Sequence, residues 1–296
     1  MKLINKIKKI NILEIVFFSF FVRFLALLFY PNQFLPDSET YLKIGNAIFS
    51  GNIIETPLHM PGYGVWMFIM NFITKNNYGV VIADMIVSSF TVYIIYLLSF
   101  EIFKRKDISL LSAFIFALYP FSIFYSINSV SETLYVFTLF SSILLFYRNK
   151  FMIGSIILIL SIYIKPTSDI FAPFLILIFC LILKKYSFRK TLIHLVTFYS
   201  LYCLLLSPWW YHNWIKYDGF VRLNLSAGYH LYSGNNPLNK SGGGIGGIDV
   251  HHDWTDDDIK NRGIIFEKKF RNDAVDYIKN NPKDFVNLTI IKFSRF

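Results

Sequence analysis

The sequence predicts an all-α polytopic membrane protein, and three observations carry that expectation. Of 296 residues, 54% are hydrophobic and 19% aromatic against 16% charged, too little polar material to cover a soluble domain of this size. The apolar residues arrive in blocks of roughly 20, the length a helix needs to cross the hydrocarbon of a bilayer. Lys and Arg flank these blocks on alternate sides, as in a multi-pass chain.

Seven crossings are expected, at about 11–30, 79–103, 108–125, 131–147, 151–165, 169–183 and 191–208. The first begins with a basic stretch, as a signal peptide does. Its apolar part is long, contains Arg23 and ends in "YPNQFLPD" with no small-residue cleavage site, so it reads as a retained anchor. In the loop 31–78, Tyr41, Ile44, Ala47 and Ile48 recur at helical spacing between Pro36 and Gly51. That pattern predicts a short amphipathic helix at the outer membrane surface. "LHMPGYGVWMFIMNFI" is too short to span and predicts a second interfacial or partly inserted helix. The fifth and sixth crossings are short, and "KPTSD" between them reads as a tight hairpin.

After Pro208 the composition changes to a Trp/Tyr cluster at 209–217, a "SGGGIGG" loop and a charged helical stretch from about 256 to 280. The glycines lack a preceding strand and a following Gly-Lys-Ser/Thr, so they do not read as a phosphate-binding loop. The organisation expected is a transmembrane region over 1–208 and an extracytoplasmic segment over 209–296. The final "DFVNLTIIKFSRF" resembles the approach to a further membrane helix, so the sequence is expected to be a piece of a longer protein.

Basic residues set the orientation, because cytoplasmic loops carry the Lys/Arg excess. Lys2, Lys6, Lys8 and Lys9 precede the first span; Lys104, Arg105 and Lys106 follow the second; Arg148 and Lys150 follow the fourth; Lys184, Lys185, Arg189 and Lys190 follow the sixth. The alternate short loops contain only Lys43, Lys75 and Lys165. A multi-pass protein of the inner or plasma membrane with a cytoplasmic N-terminus is expected. The net charge of +10 is mostly membrane-flanking charge plus twelve basic residues in the outer tail, which form no nucleic-acid-binding motif. Cys180 and Cys203 fall inside spans, so neither a disulfide framework nor a metal centre is indicated, and no cofactor is called for.

Acidic residues are distributed unevenly on this topology. Asp37, Glu39, Glu55, Glu132 and Asp169 lie at or beyond outer helix ends, and Asp84 about a turn inside one. Ionisable groups at membrane depth face cavities or partners and mark function by default. Local roles compete with that reading. Asp37 after Pro36 suits a helix N-cap as well as catalysis, and Glu39 suits the positive end of the same helix. Glu132 and Asp169 suit helix starts, Lys165 suits snorkelling to the interface, and His59 and His212 suit interfacial hydrogen bonding.

Three stretches add a resemblance: "PDSETYLKIGNAI", "HMPGYGVWMFIMNF" and "SPWWYHNWIKYDGFVRLNLSAGYHLYSGNNP". Together they resemble the dolichyl-phosphate-mannose-protein mannosyltransferase-like family of GT-C glycosyltransferases, which includes the aminoarabinose transferases acting on lipid A. The last stretch carries the resemblance through Pro208, Trp209, Asn213, Gly219, Gly228, Gly234, Asn235, Asn236 and Pro237, with Trp214 at the aromatic position. "SETLYVF" at 131–137 and "IKPTSDIFAP" at 164–173 add weaker matches. In departure from the family, His59 and Met60 replace Arg-Pro, Gly64 replaces a proline, and Lys165 and His212 each stand for an Arg. The family's later membrane helices are missing.

The resemblance implies a GT-C helix bundle that transfers a sugar from a polyprenyl phosphate to a glycan, lipid or protein acceptor on the outer side, in contact with membrane lipids. It implies Asp37 as general base, with Lys165 and His212 facing the departing phosphate. Glu39, Tyr41, His59, Tyr63, Glu132, Asn213 and Asn235 would complete substrate binding, and no metal is required. The competing readings are a multi-spanning transporter or lipid flippase, which would show broken helices or repeats, and an inactive fragment of a glycosyltransferase.

Overall fold

A computed structural model describes residues 11–30, 35–52, 59–76, 78–182, 187–217, 219–243 and 256–294. Lys2, Lys6, Lys8, Lys9, Glu55, Lys184, Lys185 and the glycines at 244–247 lie outside the described residues. All regular structure in the described residues is helical. The chain divides into two compact units, Met1–Asn52 with Met60–Ser207, and Ile53–His59 with Pro208–Phe296.

In the first unit, α1 (Ile12–Phe29) starts at Asn11, whose side-chain oxygen accepts the Leu13 N–H at 3.2 Å. It buries Ile15, Ser19 and Arg23, one stripe at i, i+4 and i+8, while Phe17, Phe21, Phe24 and Leu28 remain exposed. An apolar outer face with polar groups turned inward is what a lipid surround requires. The expected surface helices are α2 (Pro36–Phe49) and α3 (Gly62–Thr74). They cross closely because two glycines meet: Gly45 packs directly on the Gly64 carbonyl, and a β-carbon on Gly64 would lie 2.6 Å from the Tyr41 carbonyl oxygen. Gly51 ends this segment with φ of +71°, a left-handed position that favours glycine.

α4 (Tyr78–Phe103) is the long inner helix, packed against α1, α5 (Lys106–Ala117) and α7 (Glu132–Tyr147). The crossing expected at 108–125 is not one helix. It is α5 followed by α6 (Pro120–Ile127), bent by 51°. Pro120 offers no N–H and disfavours helical geometry at the residue before it; Tyr119 is accordingly extended, with φ −66° and ψ 116°. α7 and α8 (Phe151–Ile164) form an antiparallel hairpin, followed by α9 (Thr167–Leu177), which runs into a π-helical turn at Ile178–Ile182.

α10 (Phe188–Tyr217) carries the chain past Pro208. Only α1, α4 and α10 among the described residues are long and apolar enough to cross a membrane singly, with the bent α5–α6 pair a fourth candidate. The remaining expected crossings are the shorter apolar helices α7, α8 and α9.

The second unit contains α11 (Ala227–Gly234), α12 (Asp256–Asn280) and α13 (Pro282–Ser294). α12 is kinked at Gly263, and Tyr232, Phe270 and Ala274 form a small core between α11 and α12.

Candidate active site

Lys165 ends α8 in an extended conformation, φ −146° and ψ 122°, because Pro166 follows and disfavours another helical residue there. Its ammonium donates to Glu132 Oε1 at 2.5 Å. The pair joins the C-terminus of α8 to the N-terminus of α7, where each charge also complements the helix dipole. Both residues line a cavity of about 280 Å³ that continues past Ser122 and Tyr125 to Ser88 and Thr91 on α4. Its surface is mostly apolar and aromatic, with the ion pair and a few hydroxyls as polar features. Tyr135, whose phenol oxygen accepts from Ser168 Oγ at 3.1 Å, lines both this cavity and an adjacent apolar one of about 260 Å³.

The first-loop helices are docked beside this ion pair. Ser38 Oγ donates to the Asn128 carbonyl at 3.1 Å and the Tyr41 hydroxyl to Ser131 Oγ at 3.0 Å, immediately before Glu132. Burial pushes the Tyr41 phenol up, and the Glu132 and Asp37 carboxylates push it the same way. Asp37 itself is exposed at the second position of α2. It is not the N-cap: Leu35 holds that position, without a side-chain cap bond, because Pro36 occupies the first turn and shifts the helix start forward by two residues.

The other expected site residues make the following contacts. Glu39 faces solvent and pairs with Lys43 at 2.7 Å, a hydrogen bond that holds its carboxyl below the usual range. Tyr63 is fully buried, packs edge-on against Tyr41 with ring centroids 5.0 Å apart, and donates to Asp84 Oδ2 at 2.5 Å. Trp66 Nε1 donates to the other Asp84 oxygen at 2.9 Å. Gly62 of the same motif lies against the Tyr163 backbone, where a β-carbon would come within 2.6 Å of the carbonyl oxygen, just ahead of Lys165. The motif therefore braces both the Asp37 helix and the turn that carries Lys165.

In the second unit, His59 is half-buried. The His212 ring stacks on Trp209 at 5.4 Å, with Nδ1 3.3 Å from Asn213 Oδ1. Asn213 is buried and donates to the Val221 carbonyl at 3.4 Å, and Trp209 Nε1 donates to the Leu223 carbonyl at 2.6 Å. Asn235 donates to the Leu231 carbonyl at 2.9 Å and accepts from Lys292 at 3.3 Å. Asn213 and Asn235 thus tie the main chain together within their unit.

The chain is similar to a bacterial aminoarabinose transferase. It is 27% identical over 210 residues to the undecaprenyl phosphate-alpha-4-amino-4-deoxy-L-arabinose arabinosyl transferase of Wigglesworthia glossinidia brevipalpis. The match covers 64% of this chain, but the chain spans only 37% of the relative's length. No protein-family model matches the chain, and no solved structure does.

Two ionisable residues outside the implied substrate set are also engaged within the first unit. Arg23 is fully buried behind Ser88 and Ser122. Asp169 accepts from the Tyr202 hydroxyl at 2.7 Å, joining α9 to α10. Ser88 and Ser122 lie far from Arg23 in the chain, and Tyr202 from Asp169, so no local spacing points to these pairings. No group of three or more His, Cys, Asp or Glu side chains suited to a metal occurs among the described residues.

Proposed function

We propose that this chain is part of an integral-membrane glycosyltransferase that takes a sugar from a polyprenyl phosphate and passes it to an acceptor on the outer side of the membrane. One observation carries the reading: a largely apolar cavity that begins at a Lys165–Glu132 pair and runs inward between helices, in a chain similar to an undecaprenyl-phosphate-dependent transferase. An apolar cavity with an ion pair at one end, whose ammonium could exchange a carboxylate for a phosphate oxygen, suits the chemistry of a lipid phosphate.

In this reading the acceptor hydroxyl oxygen attacks the sugar C1 as the bond from C1 to the phosphate oxygen breaks. Asp37 takes the acceptor proton, and the pair of electrons leaves with the polyprenyl phosphate, whose developing charge Lys165 stabilises. Asp37 is suited to the base role by its exposure on α2, the helix whose Tyr41 binds Ser131 immediately before Glu132. Tyr41 and Tyr63, engaged with Ser131 and Asp84, act in this scheme as supports rather than as direct ligands.

The test is transfer from a panel of labelled undecaprenyl-phosphate sugars in membranes containing the protein, beside Asp37→Asn. Transfer is expected with at least one donor and should fall by at least about a hundredfold in the variant, whose amide cannot serve as a base. Full activity in Asp37→Asn would remove Asp37 from the chemistry. Lipid movement across the bilayer with no transfer from any donor would favour a flippase.

A further inference from the structure

Arg23 presents an energetic puzzle. Its guanidinium is fully buried, and every described partner is neutral: Ser88 Oγ at 2.8 Å from Nε, Ser122 Oγ at 2.8 Å from Nη2, and the Ser19 hydroxyl at 2.5 Å and the Ser19 and Ala117 carbonyls at 3.0 and 3.2 Å from Nη1. A buried cation without a counter-charge is costly inside an apolar bundle, and neutral hydrogen bonds offset only part of that cost. The nearest acid along α4, Asp84, sits one turn from Ser88 and has both oxygens engaged by Tyr63 and Trp66.

Two of the Arg23 partners, Ser88 and Ser122, line the cavity that holds Lys165 and Glu132. Their hydroxyl oxygens are 3.1 Å apart, and each accepts an N–H from Arg23. The two hydroxyls carry two protons, and the bond between them uses one. A second proton is therefore left, with only the Ser122 carbonyl, at 3.5 Å from Ser88 Oγ, as a weak described acceptor. A hydroxyl polarised by a guanidinium behind it is a strong donor toward an oxygen anion in the cavity. Because Lys165 and Glu132 offset each other, Arg23 leaves these three groups with one net positive charge.

We infer that Arg23, acting through Ser88 and Ser122, forms a second, inner anion subsite that receives an oxygen of the lipid phosphate alongside Lys165. Arg23 is the positioning residue, and Ser122 and Ser88 make the contact. The inference rests on the polyprenyl-phosphate reading above and extends it: the phosphate is drawn inward from the outer ion pair, toward the hydroxyl pair between α4 and α6.

The test is lipid titration of the full chain in detergent micelles, read by native mass spectrometry, with undecaprenyl phosphate, undecaprenol and inorganic phosphate as probes. Ser122→Ala removes the hydroxyl and keeps the buried charge, and Ser122→Thr restores a hydroxyl. The Ala variant is expected to weaken undecaprenyl phosphate binding about tenfold or more, the Thr variant less than about threefold, and neither should alter undecaprenol binding. Wild-type affinity in Ser122→Ala, with binding lost in Lys165→Met, would overturn the inner subsite and leave the donor reading standing. Equal losses for undecaprenol and its phosphate would reduce Ser122 to packing and also overturn it. Inorganic phosphate bound in a Ser122-dependent way by a protein that ignores the lipid would reassign the anion. A wild-type protein that binds no probe would overturn the inference and the donor reading together.

Discussion

Glu132 competes with any phosphate that approaches Lys165, since the ammonium already donates to its carboxylate at 2.5 Å. Both side chains are about a third exposed, so the pair is worth up to about 1 kcal/mol. Glu132→Gln should therefore tighten undecaprenyl phosphate binding by up to about fivefold, whereas Lys165→Met should weaken it about tenfold or more. Weaker binding in Glu132→Gln would show instead that the carboxylate helps to hold the ligand. Asp84 supports a different prediction, because both its oxygens accept, from Tyr63 and Trp66. Asn at this position turns an NH2 toward one of these donors and should cost about 1–3 kcal/mol of stability. With Tyr63→Phe present the further loss should shrink, since the two side chains share one bond. A melting temperature unchanged in Asp84→Asn would mean that the buried cluster does not brace α3 against α4.

The element that governs the site is the crossing of α2 and α3. A methyl group on Gly64 would meet the Tyr41 carbonyl at 2.6 Å, so backbone rather than a flexible side chain would have to shift. Gly64→Ala should cost about 1–3 kcal/mol and expose α2 to protease, while Gly51→Ala, with open space around it, should cost only about 1 kcal/mol of left-handed strain. Equal melting temperatures for the two variants would sink the close-packing account. These helices were legible in the sequence because Pro36, Gly51 and the apolar spacing are local signals. The break before Pro120 was not read from a hydropathy block that runs through it, although the proline itself was the available signal. The two hydroxyls that Arg23 shares with the cavity, Ser88 and Ser122, lie 65 and 99 residues away, and Lys165 lies 33 residues from Glu132, separations across which no periodicity speaks.

For the molecule as a whole, ion pairs mark both ends of α7 in the first unit. Glu132 and Lys165 stand at its start; at its end Arg148 donates to Glu101 at 3.0 Å, and Lys104 binds the same carboxylate at 2.7 Å. The 16 residues of α7, at about 1.5 Å each, separate these groups by about 24 Å, less than the roughly 30 Å of a hydrocarbon core. If α7 alone crosses the hydrocarbon, local thinning of the bilayer or water drawn to the polar ends would make up the difference. The distribution of basic residues leads to the expectation that the Lys165 end faces outward, and labelling tests it. With Cys203, the exposed native thiol, changed to Ser and Cys180 left buried, Lys43→Cys should react with a membrane-impermeant maleimide in intact cells, and Lys150→Cys only after permeabilisation. The reverse pattern would turn the cavity toward the cytoplasm and rule out transfer to an acceptor on the outer side.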